Sequence, residues 1–388
     1  MLGVRCRKTE TYFMTILPLP YAVDLSDQSL KVLQLATCVR WEREASYPPV
    51  TATVLTEARV PDGWVVRGEI REPQRCGALL RRLINAKTSR WRRSPFTVAV
   101  LPDARSFHTT IRVIPENNES LTDAVTRVLP TAIPLPMERV GVTMRPLAIN
   151  QTTSAQRTVA ITAVPTAIVD AYTEMIVSAQ LTPIALEPSA MAIARVASAL
   201  PSTDRHTDTR RAHLILDLGA TRTSAIIAHG ITVIASFRIP ISGNGITAAI
   251  AGALRVTPLA AEQAKCRTNL MHAPAGDQVA VAIARSLDPI LDSVARIRLF
   301  AEQYLPESLQ PKIITLVGGG AQQPGIETFL RDRTAIPVER LVLPGIIFSG
   351  SHLPSFNTSA WVTTLGIGLL AREPAYALTE EVATYPTV

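Results

Sequence analysis

One pattern occurs twice in this chain and restricts its fold more than anything else in the 388 residues. YAVDLSDQSLKVLQL (Tyr21–Leu35) and LILDLGATRTSAIIA (Leu214–Ala228) each run as an apolar strand, an aspartate, a leucine, serine or glycine, hydroxyl residues, and a second apolar strand. Short apolar runs joined by small polar residues read as β-hairpins. Each hairpin is followed by further strands and helices, so the chain reads as a duplicated α/β architecture. The aspartates raise a chemical question. An acidic residue, a small residue and hydroxyls at a turn suit a phosphate and its magnesium ion, and they equally suit an ordinary tight hairpin.

A duplicated α/β chain needs material for two cores, and composition supplies it. The sequence is 47% hydrophobic and 18% charged, which excludes wholesale disorder. Aromatic residues make up 5%, so the cores are expected to be aliphatic. The net charge of +7 permits contact with anionic surfaces. Its clearest local excess is RRLINAKTSRWRR, from Arg81 to Arg93, which reads as a solvated helix end and loop or as a membrane or partner contact. Nucleic acid is not expected, because stacking aromatics are scarce. Cys6, Cys38, Cys76 and Cys266 lack metal-ligand spacing and point to a reducing compartment. No run reaches the ~18 apolar residues of a membrane span. The segment before Tyr21 is a poor signal peptide, and Met14 is an alternative start.

Strand-like runs follow at TVLTEARV, GWVVRGEI and FTVAVLP, with a basic helical stretch around Ala78–Ala86. Helices are expected at Leu121–Leu129, Thr166–Gln180 and after Leu186. Beyond Ala228, Ile246, Ile250 and Leu254 share a helical face, and Thr257-Pro258 supplies a cap and first-turn proline for LAAEQAK. The segment Gln278–Tyr304 has apolar residues at steps of three and four, interrupted by Pro289, which predicts a kink or two helices. KIITLVGGGAQQPGIETFL reads as a buried strand, three glycines, a turn and a helix.

Three turns are therefore candidates for one site. Asp24, Ser26, Ser29 and Lys31 cluster at the first; Asp217, Gly219, Thr221 and Thr223 at the second; Gly318, Gly319 and Gly320 form the third. Tight turns expose backbone N–H groups to anions, glycines admit close backbone approach, and Mg²⁺ needs only one or two carboxylates, here Asp24 and Asp217. Each signal alone is weak. Their order is that of a two-lobed nucleotide clamp, and no P-loop motif is present.

At this point the sequence resembles the actin-like ATPases, and within them the PilM family of the type IV pilus assembly platform. The matching stretches are the two hairpins, the A-E-x-x-K helix LAAEQAK, the loop ITLVGGGAQQPG, and VAVLPDARSFHTTIRVIP, AIPLPMERV, LTPIALEPSAMAIAR and TTLGIGLLAR in order, together spanning Tyr21–Arg372. The resemblance implies an actin-like, ribonuclease-H-like duplicated fold with a small inserted α+β subdomain. The expected divisions are an N-terminal extension at 1–20, a first lobe at 21–102 and 166–200, the insertion at 103–165, a linker at 201–211, a second lobe at 212–372 and a tail at 373–388.

It also implies ATP and Mg²⁺ as ligands. Asp24, Ser29 and Lys31 would form the first phosphate site, although Lys31 on a strand can equally point outward. Asp217, Gly219 and Thr223 would form the second, with Asp217 near Mg²⁺ and the attacking water. Gly243 and Asn244 would begin the next nucleotide-side turn, Glu262 and Lys265 would lie near the ribose, and Gly318–Gly320 near adenine. The family's first hairpin has glycine where this chain has Ser26. A side chain there would crowd a phosphate or strain a turn that wants positive φ, or else donate its hydroxyl. Hydrolysis is left open. The implied partner is the cytoplasmic N-terminal tail of a PilN-like membrane protein, with other pilus platform proteins and self-association also expected, and a location on the inner face of the cytoplasmic membrane. The alternatives are an FtsA-like division scaffold, a type II secretion platform protein, or a small-molecule kinase of the same superfold.

Overall fold

The structure is a computed structural model that describes residues 18–36, 52–88, 93–116, 118–147, 156–199, 212–341 and 358–371. Cys6, Cys38, Met14, the proposed linker at 201–211, the tail at 373–388 and part of the basic run lie outside the described residues.

Two five-stranded sheets repeat one plan. In the first, β1 (Tyr21–Leu25), β2 (Ser29–Leu35) and β3 (Ala52–Arg59) form an antiparallel meander. A two-residue ladder of β4 (Val65–Val66) and β5 (Glu69–Ile70) follows, and on the other side of β1 lie β6 (Phe96–Leu101) and β10 (Thr182–Pro188), both parallel. In the second, β11 (Ala212–Leu218), β12 (Thr223–His229) and β13 (Thr232–Ile239) form the meander, and β14 (Ile313–Val317) and β15 (Val338–Arg340) extend it in parallel. The strand orders are β10-β6-β1-β2-β3 and β13-β12-β11-β14-β15. The repeat seen in two short motifs is thus a repeat of whole sheets.

Alternation along the strands divides each between two cores, because successive side chains leave opposite faces of a sheet. Tyr21 and Val23 of β1 enter a cluster with α1 (Pro73–Lys87) and α3 (Thr166–Ser178), whereas Ala22 faces α4 (Ser189–Ala199) and α9 (Val362–Leu370). On β11, Leu214, Leu216 and Leu218 face α5 (Gly243–Leu254), α7 (Gln278–Tyr304) and α8 (Ile326–Thr334), and Ile215 joins the α4–α9 side. The layers therefore run helices, sheet, helix pair, sheet, helices. The middle pair is tight: a Cβ on Gly366 of α9 would lie 2.0 Å from the Ala192 carbonyl of α4. Arg195 of α4 is buried against Glu187 of β10, Nη2 donating to Oε2 at 2.9 Å, and also reaches the Gly366 carbonyl at 3.3 Å.

Between β6 and α3 a small antiparallel sheet of order β7-β9-β8 forms from β7 (Phe107–Val113), β8 (Val140–Pro146) and β9 (Arg157–Pro165). It has its own core with α2 (Leu121–Ala132) and packs on the second sheet, where Ala160 and Leu147 join the apolar cluster.

Helix starts follow local chemistry. Thr257 Oγ1 accepts the Ala260 N–H at 3.3 Å and Pro258 takes the first position of α6 (Pro258–Arg267). Of the two outcomes expected at Pro289, a division into two helices is not found: the segment from Gln278 is a single helix that continues through Pro289. Burial of Ile283, Leu287, Ile290, Val294 and Ile297 along one stripe offsets the one helical hydrogen bond that proline removes.

Candidate functional site

The first hairpin places Asp24 directly across from Lys31 in the β1–β2 ladder. Neither is left facing open solvent. Asp24 accepts the Thr364 hydroxyl at 3.2 Å, and Lys31 Nζ donates to the Ala360 carbonyl at 2.5 Å, 5.6 Å from the centre of the Trp361 ring. Both first-lobe residues are thus held by the C-terminal segment containing α9.

The turn between them closes on itself. Ser26 N–H donates to the Ser29 carbonyl at 2.8 Å, and Ser26 Oγ accepts the Ser29 N–H at 3.0 Å. Ser26 is not among the described residues with positive φ, so the strain expected of a side chain there is absent. Its hydroxyl is turned into the loop and occupies an N–H that would otherwise face an anion. Asp27 anchors the tip by accepting the Arg67 and Gly68 N–H groups at 2.9 and 2.8 Å.

The second hairpin is built differently. Gly219 N–H donates to the Arg222 carbonyl at 2.9 Å, and a Cβ on Gly219 would lie 2.7 Å from that oxygen. Gly243 and Asn244, the first residues of α5, donate their N–H groups to the Gly219 and Ala220 carbonyls at 3.0 and 2.8 Å. Ser242 caps the same helix by accepting the Gly245 N–H at 3.1 Å. The helix start therefore buttresses the loop. Thr223 is buried and Thr221 exposed at the tip.

Asp217, one residue before the end of β11, pairs with Val317 at the end of β14, and the triple glycine begins at the residue after Val317. Gly318 has φ +84° and lies against the Asp217 carboxyl. Gly320 is similarly tight, its absent Cβ falling 2.8 Å from that of Leu218. Glu262 and Lys265 stand off from this centre in a network of their own. Lys265 Nζ contacts Glu262 Oε2 at 2.7 Å, Thr247 Oγ1 at 2.8 Å and the Gly243 carbonyl at 3.2 Å, and the Thr247 hydroxyl bonds Glu262. Burial raises the Glu262 carboxyl, but hydrogen bonds from Lys265 and Thr247 outweigh it and hold the group below the usual carboxylate range.

Charges from both hairpins meet at Asp217. Burial pushes the Asp217 carboxyl up to about 6; Arg222 opposes this, Asp103 and Asp24 add to it, and Lys31 opposes it. Residues of both lobes therefore act on one carboxyl. Two of them, Asp103 and Arg222, escaped the sequence reading. Asp103 follows β6, and β6 stands to β1 as β14 stands to β11, so it occupies the place in the first lobe that Gly318–Gly319 occupies in the second. Its Oδ1 lies 3.2 Å from Nε2 of the buried His108. Arg222 sits inside the quoted hairpin, where the flanking threonines drew attention. Among the described residues no group of three or more carboxylate, histidine or cysteine side chains is close enough to hold a metal.

A family model described as type IV pilus assembly protein PilM matches residues 22–344. This chain belongs to the PilM family. A solved PilM–PilN type IV pilus biogenesis complex contains a chain similar to this one at 22% identity and TM-score 0.71, covering 92% of this chain and 100% of that one. MreB5 of Spiroplasma citri, solved bound to ADP and to AMPPNP, is similar at 12% identity and TM-score 0.50, over 90% of this chain and 96% of that one. Among curated proteins none is similar enough to count as a match. The PilM-family chain accordingly has the actin-like two-lobed fold with a small inserted subdomain. No helix among the described residues is long and apolar enough to cross a membrane.

Proposed function

We propose that this PilM-family chain is a nucleotide-binding adaptor of a type IV pilus assembly platform. In this reading it binds Mg²⁺-ATP between its two sheets and the N-terminal tail of a PilN-like membrane protein on another surface, and thereby works at the inner face of the cytoplasmic membrane. The observation that carries the nucleotide half is the desolvated Asp217 carboxyl, set at a strand end against Gly318 and acted on by charges from both lobes. A carboxylate so placed suits a hydrated Mg²⁺, which keeps most of its water and needs few protein ligands. The cation would supply charge neutralisation for the phosphates. Gly219 and Gly318 let backbone approach a ligand, while Asp24, engaged by Thr364, would act through the local field rather than as a direct ligand.

The two halves of the clamp are unequal. At the first turn the Ser29 N–H is held by Ser26, so the phosphates would rest chiefly on the second hairpin. Binding without rapid turnover follows as the favoured behaviour, since no side chain stands assigned as a base for attacking water. The partner half rests on family membership and on the PilM–PilN complex to which the fold is similar.

Calorimetry with the full chain tests both halves. Mg²⁺-ATP and the N-terminal peptide of the co-occurring PilN-like protein are each expected to bind, and each to alter the other's affinity, as linkage requires of a coupled adaptor. Peptide binding with no ATP binding would leave a pure scaffold. Failure of both would overturn the proposal.

A further inference from the structure

The outer helix of the first lobe, α1, buries Cys76, Leu79, Leu80 and Ile84 and leaves Arg81, Arg82 and Lys87 exposed. Arg93, also exposed, folds back onto the end of this helix, its Nε donating to the Thr88 carbonyl at 3.3 Å. We infer that these cations form a docking face for an anionic phospholipid bilayer.

The face is basic without compensation. Among the described residues, the Arg81, Arg82 and Lys87 side chains make no hydrogen bond or ion pair, and the sequence from Pro73 to Phe96 contains no acid. The acids on neighbouring elements gather by the first half of the helix. Glu72 meets Arg75 at 3.6 Å, Glu174 of α3 accepts from Gln74 Nε2 at 2.5 Å, and Glu57 of β3 lies opposite Lys31 near the first hairpin turn. From there α1 and α3 advance together, since Gly77 packs against Ser178. The stretch that comes next on the α3 side, Met175 to Leu186, also contains no acid, and its Val177 is 56% exposed. Like charges on one helix face repel, and nothing in the fold offsets this; a layer of phosphate headgroups does. The helix carries no aromatic residue on which a nucleic-acid base would stack, which favours lipid. The face also points away from the nucleotide cleft. β6 starts just beyond the end of α1 and runs six residues, ~20 Å, before the chain reaches Asp103 near Asp217. A chain held to a bilayer by this end keeps its cleft clear of the membrane. The contact deepens the membrane placement proposed above, and it needs neither nucleotide nor the PilN-like tail.

The probe is a phosphatidylcholine vesicle containing about one third phosphatidylglycerol, mixed with the full chain alone and floated on a density gradient at ~0.1 M salt. The chain is expected to float with these vesicles, to stay behind with pure phosphatidylcholine, and to be released at ~0.5 M salt. Attraction of about fivefold per basic residue predicts that the triple variant Arg81→Gln, Arg82→Gln, Lys87→Gln partitions on the order of a hundredfold more weakly. Its three side chains are exposed, so it is expected to melt as the parent does. A control triple variant on α7, Arg285→Gln, Arg296→Gln, Arg298→Gln, is expected to float as the parent does. Equal losses in the two variants would show net charge acting rather than this face, and would overturn the inference. Equal flotation with neutral vesicles, or undiminished flotation of the α1 variant, would also overturn it. A DNA duplex that strips the chain from vesicles at equal phosphate concentration would assign the face to nucleic acid instead. Because no nucleotide or peptide is present, failure here leaves the adaptor reading standing, and failure of that reading leaves this contact standing.

Discussion

Gly318 and Asp217 share a space that a methyl group would fill: a Cβ on Gly318 would fall 2.7 Å from Asp217 Oδ1 and 2.7 Å from the Leu218 carbonyl. The parallel pairing of β11 and β14 forces this approach, since Val317 lies opposite Asp217 and the chain turns at the next residue. The glycine there serves packing and φ before it serves any ligand. It also sets the carboxyl's position, because nothing larger leaves Asp217 where it is.

Gly318→Ala is therefore expected to destabilise the protein and displace Asp217 together. Positive φ costs an alanine ~1–2 kcal/mol, and the backbone contact adds a strain of roughly the same order. Urea unfolding should show a loss of about 2–4 kcal/mol. An alanine variant as stable as the parent would mean that β11 and β14 separate easily, and the tight packing would be wrong.

Asp217 gives a pH dependence whose sign can be worked out. Its folded pKa, about 6, lies above its unfolded value near 3.8, so between those pH values the folded state binds more protons. Stability from this group is then full below the lower value and is lost as pH rises to the upper one, by up to about 3 kcal/mol. Asp217→Asn removes the titration. The variant should match the parent near pH 4 and exceed it above pH 6.5 in denaturant melts without Mg²⁺. With Mg²⁺-ATP the order reverses, since only the carboxylate can attract the cation. Parallel stability curves for the two proteins across this range would refute the desolvated-acid reading.

How far these residues were legible depends on whether their partners are near in sequence. Asp24, Asp217 and the triple glycine could be read because a polar residue at the end of an apolar strand is conspicuous by itself. The start of α6 could be read because Thr257 and Pro258 cap it locally. Pro289 left one helix and two helices equally open, because the buried stripe that carries α7 through it is a tertiary effect. Asp103 looks like part of a common turn until β6 is known to run beside β1. The hydroxyl of Ser26 points inward for reasons of turn geometry that composition does not reveal. Lys31 offered two directions on a strand, and the carbonyl it bonds is 329 residues away.

That distant contact makes Lys31 a test of its own. If the lysine serves only phosphate, Lys31→Met should leave the nucleotide-free protein unchanged. In the structure it supplies a charge-assisted hydrogen bond to Ala360 and stacks over Trp361. Losing both should cost about 1–3 kcal/mol in thermal or urea unfolding with no ligand present, and the Trp361 environment should change in fluorescence. An unaltered melt would release Lys31 from the C-terminal segment and return it to the phosphate site.

Ser26→Gly separates a closed first turn from an open one. The serine hydroxyl accepts from the Ser29 N–H, and the Gln28 N–H points at it from 3.4 Å, so both donors face inward. Removing the hydroxyl gives up about 1 kcal/mol of hydrogen bonding, and glycine adds ~0.5–1 kcal/mol of unfolded-state entropy, so the variant should be less stable by roughly 1–2 kcal/mol. The same change frees backbone donors for an anion. Mg²⁺-ATP should then bind about tenfold more tightly, a gain of ~1.4 kcal/mol that one well-placed hydrogen bond to a charged phosphate can supply. Calorimetry on the two proteins measures it directly. Weaker binding in the glycine variant would show instead that the Ser26 hydroxyl swings out to touch the phosphate, and the first turn would have to be counted as a working half of the clamp.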